Sequence, residues 1–254
     1  MRIVPALGKM AFTGFVLAAL LGLTAGFGTR FGLWNYHVGL DVLLPWCVYV
    51  AVAALAIGLI WGVLAWFGKG DGAAGYGLIG VFGAALVLAL PIYDYYTIEN
   101  SPPIHDITTD IANPPQFRAL LPLRKGASNS ARYDGNEPIT WHGKTRTEAQ
   151  WQRKYYTDIY TLRLLMSPTQ LYARALRAAR QMGWDIVAQS PEEGRIEATD
   201  TSFLFGLVDD IVIRVRPSGA GAKVDIRSES RVGRNDGGRN ADAIRSFIRI
   251  VKHG

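Results

Sequence analysis

Three long apolar runs without charged residues constrain this chain more than any other feature. They span residues 10–29, 42–68 and 72–93. Each has about the 20 residues that a helix needs to cross roughly 30 Å of hydrocarbon. Because the backbone amides of a lipid-embedded segment must be satisfied within that segment, such runs form helices. The sequence therefore predicts three transmembrane helices.

Charged residues divide the chain into two parts. Residues 1–93 carry four basic and two acidic side chains, whereas residues 94–254 carry 23 basic and 19 acidic ones. The overall 19% of charged residues is below the quarter or so that is typical of soluble domains, because the first part is apolar. We therefore divide the chain into a three-helix module (1–93), an extended, loop-rich segment (94–166) and an α+β domain (167–254), and expect residues 94–254 to form one folded unit.

The charges that flank the apolar runs predict the orientation in the membrane. Three spans place Arg2, Lys9 and Lys69 on one side and Arg30 on the other. Basic residues favour the cytoplasmic side. We therefore expect a cytoplasmic N-terminus and a periplasmic C-terminal domain, in the inner membrane of a bacterium. A cleaved signal peptide is the alternative interpretation of the first run.

Small residues recur within the apolar runs. Gly22 and Gly26 are four residues apart in the first run, and Gly77, Gly80 and Gly83 follow one another at intervals of three in the third. Such spacing indicates close helix packing, either among these three helices or against another membrane protein. The runs contain no Asp, Glu, Lys, Arg or His within the hydrocarbon stretches, which argues against a transporter or channel.

The C-terminal domain has an α-β-β-β-β-α pattern. A helix begins after Ser167, a good N-cap, and ends near Gly183; a second helix covers about 240–251. Between them, apolar and polar residues alternate in four segments. We predict a two-layer α+β domain with a four-stranded antiparallel sheet and both helices on its apolar face. In the segment before it, we expect a surface loop at 125–145, a short helix at about 147–154 and a strand-like stretch at 155–160.

The alternation places a set of mostly charged side chains on the sheet face that points away from the helices. This face is either solvated and joined by cross-strand ion pairs, or an arginine-lined docking surface, or covered by part of residues 94–166. Its predicted members are Arg195, Glu197, Arg214, Arg216, Lys223, Asp225 and Arg227.

One run in this domain is distinctive: Val-Asp-Ile-Arg-Ser-Glu-Ser-Arg-Val-Gly-Arg-Asn-Asp-Gly-Gly-Arg-Asn at 224–240. With Asp209-Asp210, Gly183-Trp184 and Pro-Pro-Ile-His-Asp-Ile-Thr-Thr-Asp at 102–110, it resembles the domain of unknown function 1499 family over roughly 98–252. The three-helix module is similar to that of one proteobacterial branch of the family. The resemblance implies a membrane-associated α+β domain without an established activity, and it provides no catalytic residues to transfer.

The arginine-rich run is the first candidate site. Arginine forks bind phosphate or carboxylate, and hydroxyls and glycine amides can complete an anion cradle. The candidate binding residues are Arg227, Ser228, Ser230, Arg231, Gly233, Arg234 and Asp236. The structural alternative is that the arginines pair with Asp209, Asp210, Asp225 and Asp236. Because successive strand residues point to opposite faces, we expect Asp209 and Asp210 to diverge, with one of them pairing with an arginine of the run.

A second, weaker candidate is His105 with Asp106 and Asp110, which could hold a metal or perform acid–base chemistry. Turn and cap hydrogen bonds are the favoured interpretation of these residues. The single cysteine, Cys47, excludes an internal disulfide and a cysteine-based zinc site. The sequence has no nucleophile elbow or zinc-protease motif, so we predict no metal and no cofactor.

These observations favour a non-catalytic membrane protein whose periplasmic domain binds a partner protein or an anionic lipid or other envelope component. The alternative is an envelope enzyme that acts on a phosphate- or carboxylate-bearing substrate through residues 227–237. Nucleic acid is excluded as a partner, because the basic residues are interspersed with acidic ones and lack an aromatic platform.

Overall fold

A computed structural model describes residues 3–69 and 74–254 of the chain. Arg2 and Asp71, two of the flanking charges, and Gly72, the start of the third apolar run, lie outside these ranges. The chain forms two compact units. The first comprises Met1–Tyr96 and Ser202–Gly206, and the second comprises Thr97–Thr201 and Leu207–Gly254.

The first unit contains the three predicted membrane helices. Helix α1 spans Ile3–Arg30, α2 spans Leu44–Leu64 and α3 spans Ala74–Asn100. Short π-helical turns at Val38–Leu43 and Ala65–Lys69 flank α2. Mean hydropathy over the best windows of the three candidate spans is 1.9, 2.4 and 2.0, so the prediction is confirmed by length and composition. Helix α3 continues past the predicted end at Tyr93.

Small residues lie where the helices approach one another. Gly77 faces the Trp61 indole, and Gly83 faces the Phe15 ring. A methyl group added to Gly80 would lie 2.7 Å from the Ala11 carbonyl carbon and the Phe12 nitrogen. The small-residue spacing in α3 therefore serves packing within this unit.

The second unit contains a sheet of six strands, a separate hairpin and three helices. In chain order the elements are β1 (Asp106–Thr108), β2 (Pro138–Trp141), β3 (Lys144–Thr147), α4 (Glu148–Tyr155), β4 (Leu162–Leu164), α5 (Pro168–Gln181), β5 (Asp185–Ser190), β6 (Arg195–Thr201), β7 (Val208–Ser218), β8 (Gly221–Ser230) and α6 (Arg239–His253).

Strands β5 to β8 form the predicted antiparallel meander. The sheet order is β1-β8-β7-β6-β5, and β4 pairs with the other end of β8. The α+β class is thus confirmed, whereas the sheet has six strands rather than four. The predicted loop at 125–145 is wrong in part, since β2 and most of the β2–β3 hairpin lie there. The stretch at 155–160 forms no strand, because α4 ends at Tyr155 and the next strand begins at Leu162.

Helices α5 and α6 cover the apolar face of the sheet. Ser167 caps α5 through a capping box with Gln170, as its position predicted. The fully buried Leu171 and Phe247, one from each helix, join the sheet residue Ile213 in one core cluster. This packing fixes the opposite face of the sheet, which carries the charged side chains.

Residues 110–134 lie over the charged face. Phe117 and Leu120 from this segment pack against Val212 of β7, and Glu197 accepts hydrogen bonds of 3.0 and 2.9 Å from the Arg118 and Leu120 amides. Glu197, Asp225 and Arg227 are fully buried. The interpretations of this face as solvated or as an exposed docking surface are therefore wrong, and cover by part of 94–166 is correct.

Candidate functional site

Arg227 lies at the centre of the covered face and is completely buried. Its Nε and Nη2 donate to the two carboxylate oxygens of Asp106 at 2.8 and 2.7 Å, and Nη2 also donates to the Ala131 carbonyl at 3.0 Å. The guanidinium carbon is 4.6 Å from the centre of the Phe117 ring. Nη1 donates to the Pro115 carbonyl at 3.4 Å, so all three guanidinium nitrogens of the buried Arg227 have partners within the protein.

A second group of ion pairs continues along the same face. Arg124 pairs with Asp210 and, at 2.7 Å, with Glu229. Arg231 also binds Asp210 through two nitrogens, with Nε–Oδ2 and Nη2–Oδ1 distances of 3.0 and 2.8 Å. Asp210 thus pairs with an arginine of the run, as predicted. It faces the covered side, and Asp209 pairs with Arg239 at 3.1 Å.

Asp225 joins a third group of ion pairs. Its Oδ2 accepts from Arg214 at 3.2 Å and from Arg216 at 2.9 Å, and its Oδ1 accepts from the Thr161 hydroxyl at 2.5 Å. Asp110 bridges the same two arginines at 3.3 and 3.1 Å. The charges of the covered face are therefore matched locally.

The serines of the run hold the junction between β8 and α6. Ser228 donates to Asn240 Oδ1 at 2.5 Å, and Asn240 Nδ2 donates to Ser230 at 2.9 Å and to the His105 carbonyl at 3.0 Å. Asp236 accepts from the Asn240 amide at 2.8 Å and so stabilises the first turn of α6. These hydroxyls and this carboxylate have structural partners.

The residues of the predicted anion cradle therefore have separate structural partners and do not form one binding site. Of the seven candidate residues, only Gly233 and Arg234 are exposed. Gly233 has φ of +89°, a conformation that suits glycine in a turn. No ion pair to Arg234 is found in the described part of the chain. The geometry favours structural pairing of the run over ligand binding.

The three residues of the weaker candidate site, His105, Asp106 and Asp110, also have separate partners. Asp106 binds Arg227 and Asp110 binds Arg214 and Arg216, while His105 contributes its backbone carbonyl to Asn240. Within residues 3–69 and 74–254, no group of three or more His, Cys, Asp or Glu side chains is arranged to hold a metal ion.

Two further acidic groups are buried beside Arg227. Burial, reinforced by the charges of Asp106 and Glu137, raises the pKa of Glu148 to about 9 against the opposing charge of Arg227. Burial and Asp106 raise the pKa of Glu229 to about 8, against Arg124 and Arg227. Glu148 therefore holds a proton at neutral pH, and its Oε1 has no hydrogen-bond partner among residues 3–69 and 74–254.

An open groove of about 710 Å³ lies next to this charge network. It is bounded by the segment 111–116, the turn 132–136 and the first turns of α4. Its polar or charged lining side chains are Gln116, Arg132, Tyr133, Asp134, Asn136, Thr147, Gln150 and Arg153.

The two arginines of the groove differ from those of the covered face. Arg132 and Arg153 are exposed, and neither forms an ion pair with another described residue. Tyr133 lines the same groove, and its hydroxyl is buried without a hydrogen-bond partner in the described part of the chain. Burial, with the charges of Glu148 and Asp106, raises the Tyr133 pKa, so the hydroxyl remains protonated. The groove therefore offers two cations to a ligand, whereas the Tyr133 hydroxyl beneath it is buried.

No sequence pattern predicts this groove. Arg132 and Tyr133 lie in the segment predicted to be a surface loop, and the capped start of α4 is the local signal nearby. The groove forms because 111–116 and 132–136 converge on α4, and neither segment has a hydrophobic period that would predict this.

Fold and site together define a class: a protein with three candidate membrane-spanning helices, followed by an α+β domain whose sheet carries an internal ion-pair network. A family profile described as "Protein of unknown function (DUF1499)" matches residues 106–251. The chain belongs to this family, as the sequence resemblance implied. The match begins at Asp106, the partner of Arg227, and the three N-terminal helices lie outside it. No curated protein matches the chain.

Proposed function

We propose that this protein is a non-catalytic binding protein of the bacterial inner membrane, and that its α+β domain lies in the periplasm. Its groove binds a phosphate or carboxylate group of an envelope component. The single observation that carries this proposal is the contrast between the arginines. Those of the covered sheet face are neutralised by buried carboxylates, whereas Arg132 and Arg153 line an open groove and form no ion pair with any acidic side chain that the structure describes.

Charge chemistry supports an anionic ligand. Guanidinium groups form charge-assisted hydrogen bonds with phosphate and carboxylate, about twice as strong as neutral ones. Asp134 is the one acidic side chain in the lining, and it accepts from the Asn136 amide at 3.1 Å within its own turn. The groove thus has an excess of positive charge.

The composition of the groove supports binding rather than catalysis. Among the residues that the structure describes, its lining includes no His, Cys, Ser or Lys. Tyr133, whose pKa is raised by burial, is a poor general base at neutral pH. An acid–base pair or an activated nucleophile is therefore missing from the described lining.

The periplasmic location rests on the flanking charges. Lys9 and Lys69 fall on the same side of the three spans, and Arg30 falls on the other. This distribution favours a cytoplasmic N-terminus. The domain that follows the third span then emerges on the periplasmic side.

The groove is tested by thermal unfolding of the purified full chain with two small probes, inorganic pyrophosphate and tricarballylate. A ligand that binds only the folded state raises Tm. We expect either probe to raise the Tm of the wild type and to have at least a tenfold weaker apparent affinity for the double variant R132E/R153E, since each charged hydrogen bond contributes about 1.5 to 3 kcal/mol.

The matched control is R177E/R180E, which reverses two exposed arginines of α5 that are outside the groove. It makes the same change in net charge and should respond to the probes as the wild type does. Equal responses of R132E/R153E and R177E/R180E would overturn the proposal, because the effect would then come from general charge or ionic strength.

A further inference from the structure

The loop between β6 and β7 is unusually apolar for a hairpin connection. Ser202–Gly206 contains Phe203, Leu204 and Phe205 in succession. The other two connections of the meander, 191–194 and 218–221, consist of Pro, Glu, Gly, Ser and Ala. Exposed clusters of large apolar residues on a protein surface mark contact with another apolar phase or with a partner.

The contacts of this loop group it with the membrane helices. Arg30, the last residue of α1, donates from Nη1 to the carbonyls of Ser202 and Phe203, both at 2.8 Å. Its guanidinium lies 5.9 Å from the centre of the Phe203 ring. Phe203 also meets Phe27 edge to face, with ring centres 5.9 Å apart. One arginine thus fixes the loop backbone at the end of a candidate span.

Two glycines make this close approach possible. Gly26 leaves room on α1 for the Leu204 side chain. Gly206 has φ of +66°, and a Cβ at this position would lie 3.0 Å from the Arg30 Cα. A larger residue at either position would push the loop away from α1.

The outward-facing side of this loop and of the adjoining end of α1 is apolar and exposed. Phe203 is 78% exposed and Phe31, one residue past the end of α1, is 71% exposed. Aromatic rings at the ends of spans favour the level of the lipid headgroups. An arginine at that level keeps its charge in the polar layer while its stem contacts apolar groups.

We propose that Ser202–Gly206 is an interfacial loop that inserts Phe203 between phospholipid molecules at the end of α1. The occupant of this patch is the bilayer itself, because the loop is bonded to the terminal residue of a helix long enough to span it. This proposal is independent of the groove. It adds a second kind of membrane contact, made by a connection between two sheet strands.

The test uses the full chain in vesicles of phosphatidylethanolamine and phosphatidylglycerol. In a Cys47→Ala background, a nitroxide label is attached at Phe203→Cys and, as matched control, at Ala220→Cys in the polar β7–β8 connection. We expect the label at 203 to collide more with oxygen than with a water-soluble nickel chelate, and the label at 220 to show the reverse.

Two results would overturn the proposal. A label at 203 that is as accessible to the nickel chelate as the label at 220 would show that the loop is in water. A label inaccessible to both reagents would show that protein covers it. If the cysteine variant does not fold, Phe203→Trp preserves the ring, and its added fluorescence should be quenched by bromine-labelled phospholipid; unquenched added fluorescence contradicts the proposal.

Discussion

At the scale of single residues, Arg227 explains how the second unit tolerates so many charges on one sheet face. Its bidentate pair with Asp106 is desolvated, and the same guanidinium donates to the Ala131 carbonyl. A buried pair need not stabilise a fold more than apolar residues would, but it specifies its partner. Here it specifies which segment covers the sheet.

The first prediction concerns removal of this pair. Arg227→Met leaves the Asp106 carboxylate buried without its cation, and we expect it to lower the free energy of unfolding by about 3 to 5 kcal/mol. Arg234→Met, seven residues further along the same run but exposed, should change it by less than about 0.5 kcal/mol. Denaturant unfolding of the detergent-solubilised full chain measures both. Equal, small effects would contradict the structural role of the run and would favour a binding role.

Glu148 makes a pH-dependent contribution to stability. Its pKa rises from 4.5 to about 9 on folding, so the folded state binds a proton that the unfolded state releases in this range. This contribution is complete below pH 4.5 and is lost as the pH rises toward 9. Glu148→Gln keeps the shape of the protonated side chain and cannot ionise.

We therefore expect Glu148→Gln to flatten the decline of Tm between pH 5 and pH 8, with the largest gain over wild type at the alkaline end. Glu229, whose pKa is raised to about 8, retains part of the decline. The exposed Glu192→Gln serves as control and should follow the wild-type curve. Parallel curves for Glu148→Gln and wild type would show that Glu148 is ionised in the folded protein.

At the scale of elements, local pattern and caps account for what could be predicted. Strands β5 to β8 alternate clearly and pair with chain neighbours, and α5 has a capping box at Ser167. Strands β1 and β4 have three residues each and pair with β8, which is distant in sequence. They are too short to show the alternation of apolar and polar residues that predicts a strand. The sheet was therefore predicted without its two short outer strands.

The sequence pattern predicts which face of the sheet carries the charged residues, but it does not predict that this face is buried. Alternation placed Arg227 on the face away from the helices, and this is correct. Its partner Asp106 lies 121 positions earlier, and the partner of Glu229, Arg124, lies 105 positions earlier. Pairing over such separations depends on tertiary structure, so the sequence left the choice between a cradle and an ion-pair network open.

The close approach of α1 and α3 at Gly80 predicts that a larger residue there destabilises the first unit. Gly80→Ala places a methyl group 2.7 Å from the α1 backbone, which cannot move aside without separating the helices. We expect a loss of about 1 to 3 kcal/mol from overpacking. Gly62→Ala, whose added methyl has no atom of another described residue within 4 Å, should be neutral or stabilising by up to about 1 kcal/mol. Thermal unfolding in mild detergent distinguishes the two; a tolerated Gly80→Ala would contradict the close α1–α3 contact.

For the molecule as a whole, the net charge of +6 does not indicate a diffuse basic surface. Many arginines of the second unit form ion pairs on or near the sheet. Arg132 and Arg153 are exposed and have no ion pair with another described residue, and they differ from the other exposed arginines in lining the groove on which the proposed function depends. The flanking lysines and Arg30 of the first unit bear on orientation.

The proposed orientation predicts the behaviour of a fused reporter. Alkaline phosphatase, which folds only outside the cytoplasm, should be active when fused after Gly254 of the full chain. A fluorescent protein that requires the cytoplasm should be dark at the same position. The reverse pattern would place the α+β domain in the cytoplasm and would refute the periplasmic proposal while leaving the fold unaffected.

Photo-crosslinking in a bacterial host tests whether the groove binds an anionic envelope component. A benzophenone amino acid replaces Gln150 in the full chain, and adducts are weighed by mass spectrometry. We predict an adduct that is absent when the probe replaces the exposed Gln189 of β5, that carries a phosphate or carboxylate group, and that falls about tenfold in the R132E/R153E background. An adduct of equal yield in that background, or none above the Gln189 control, would contradict the claim.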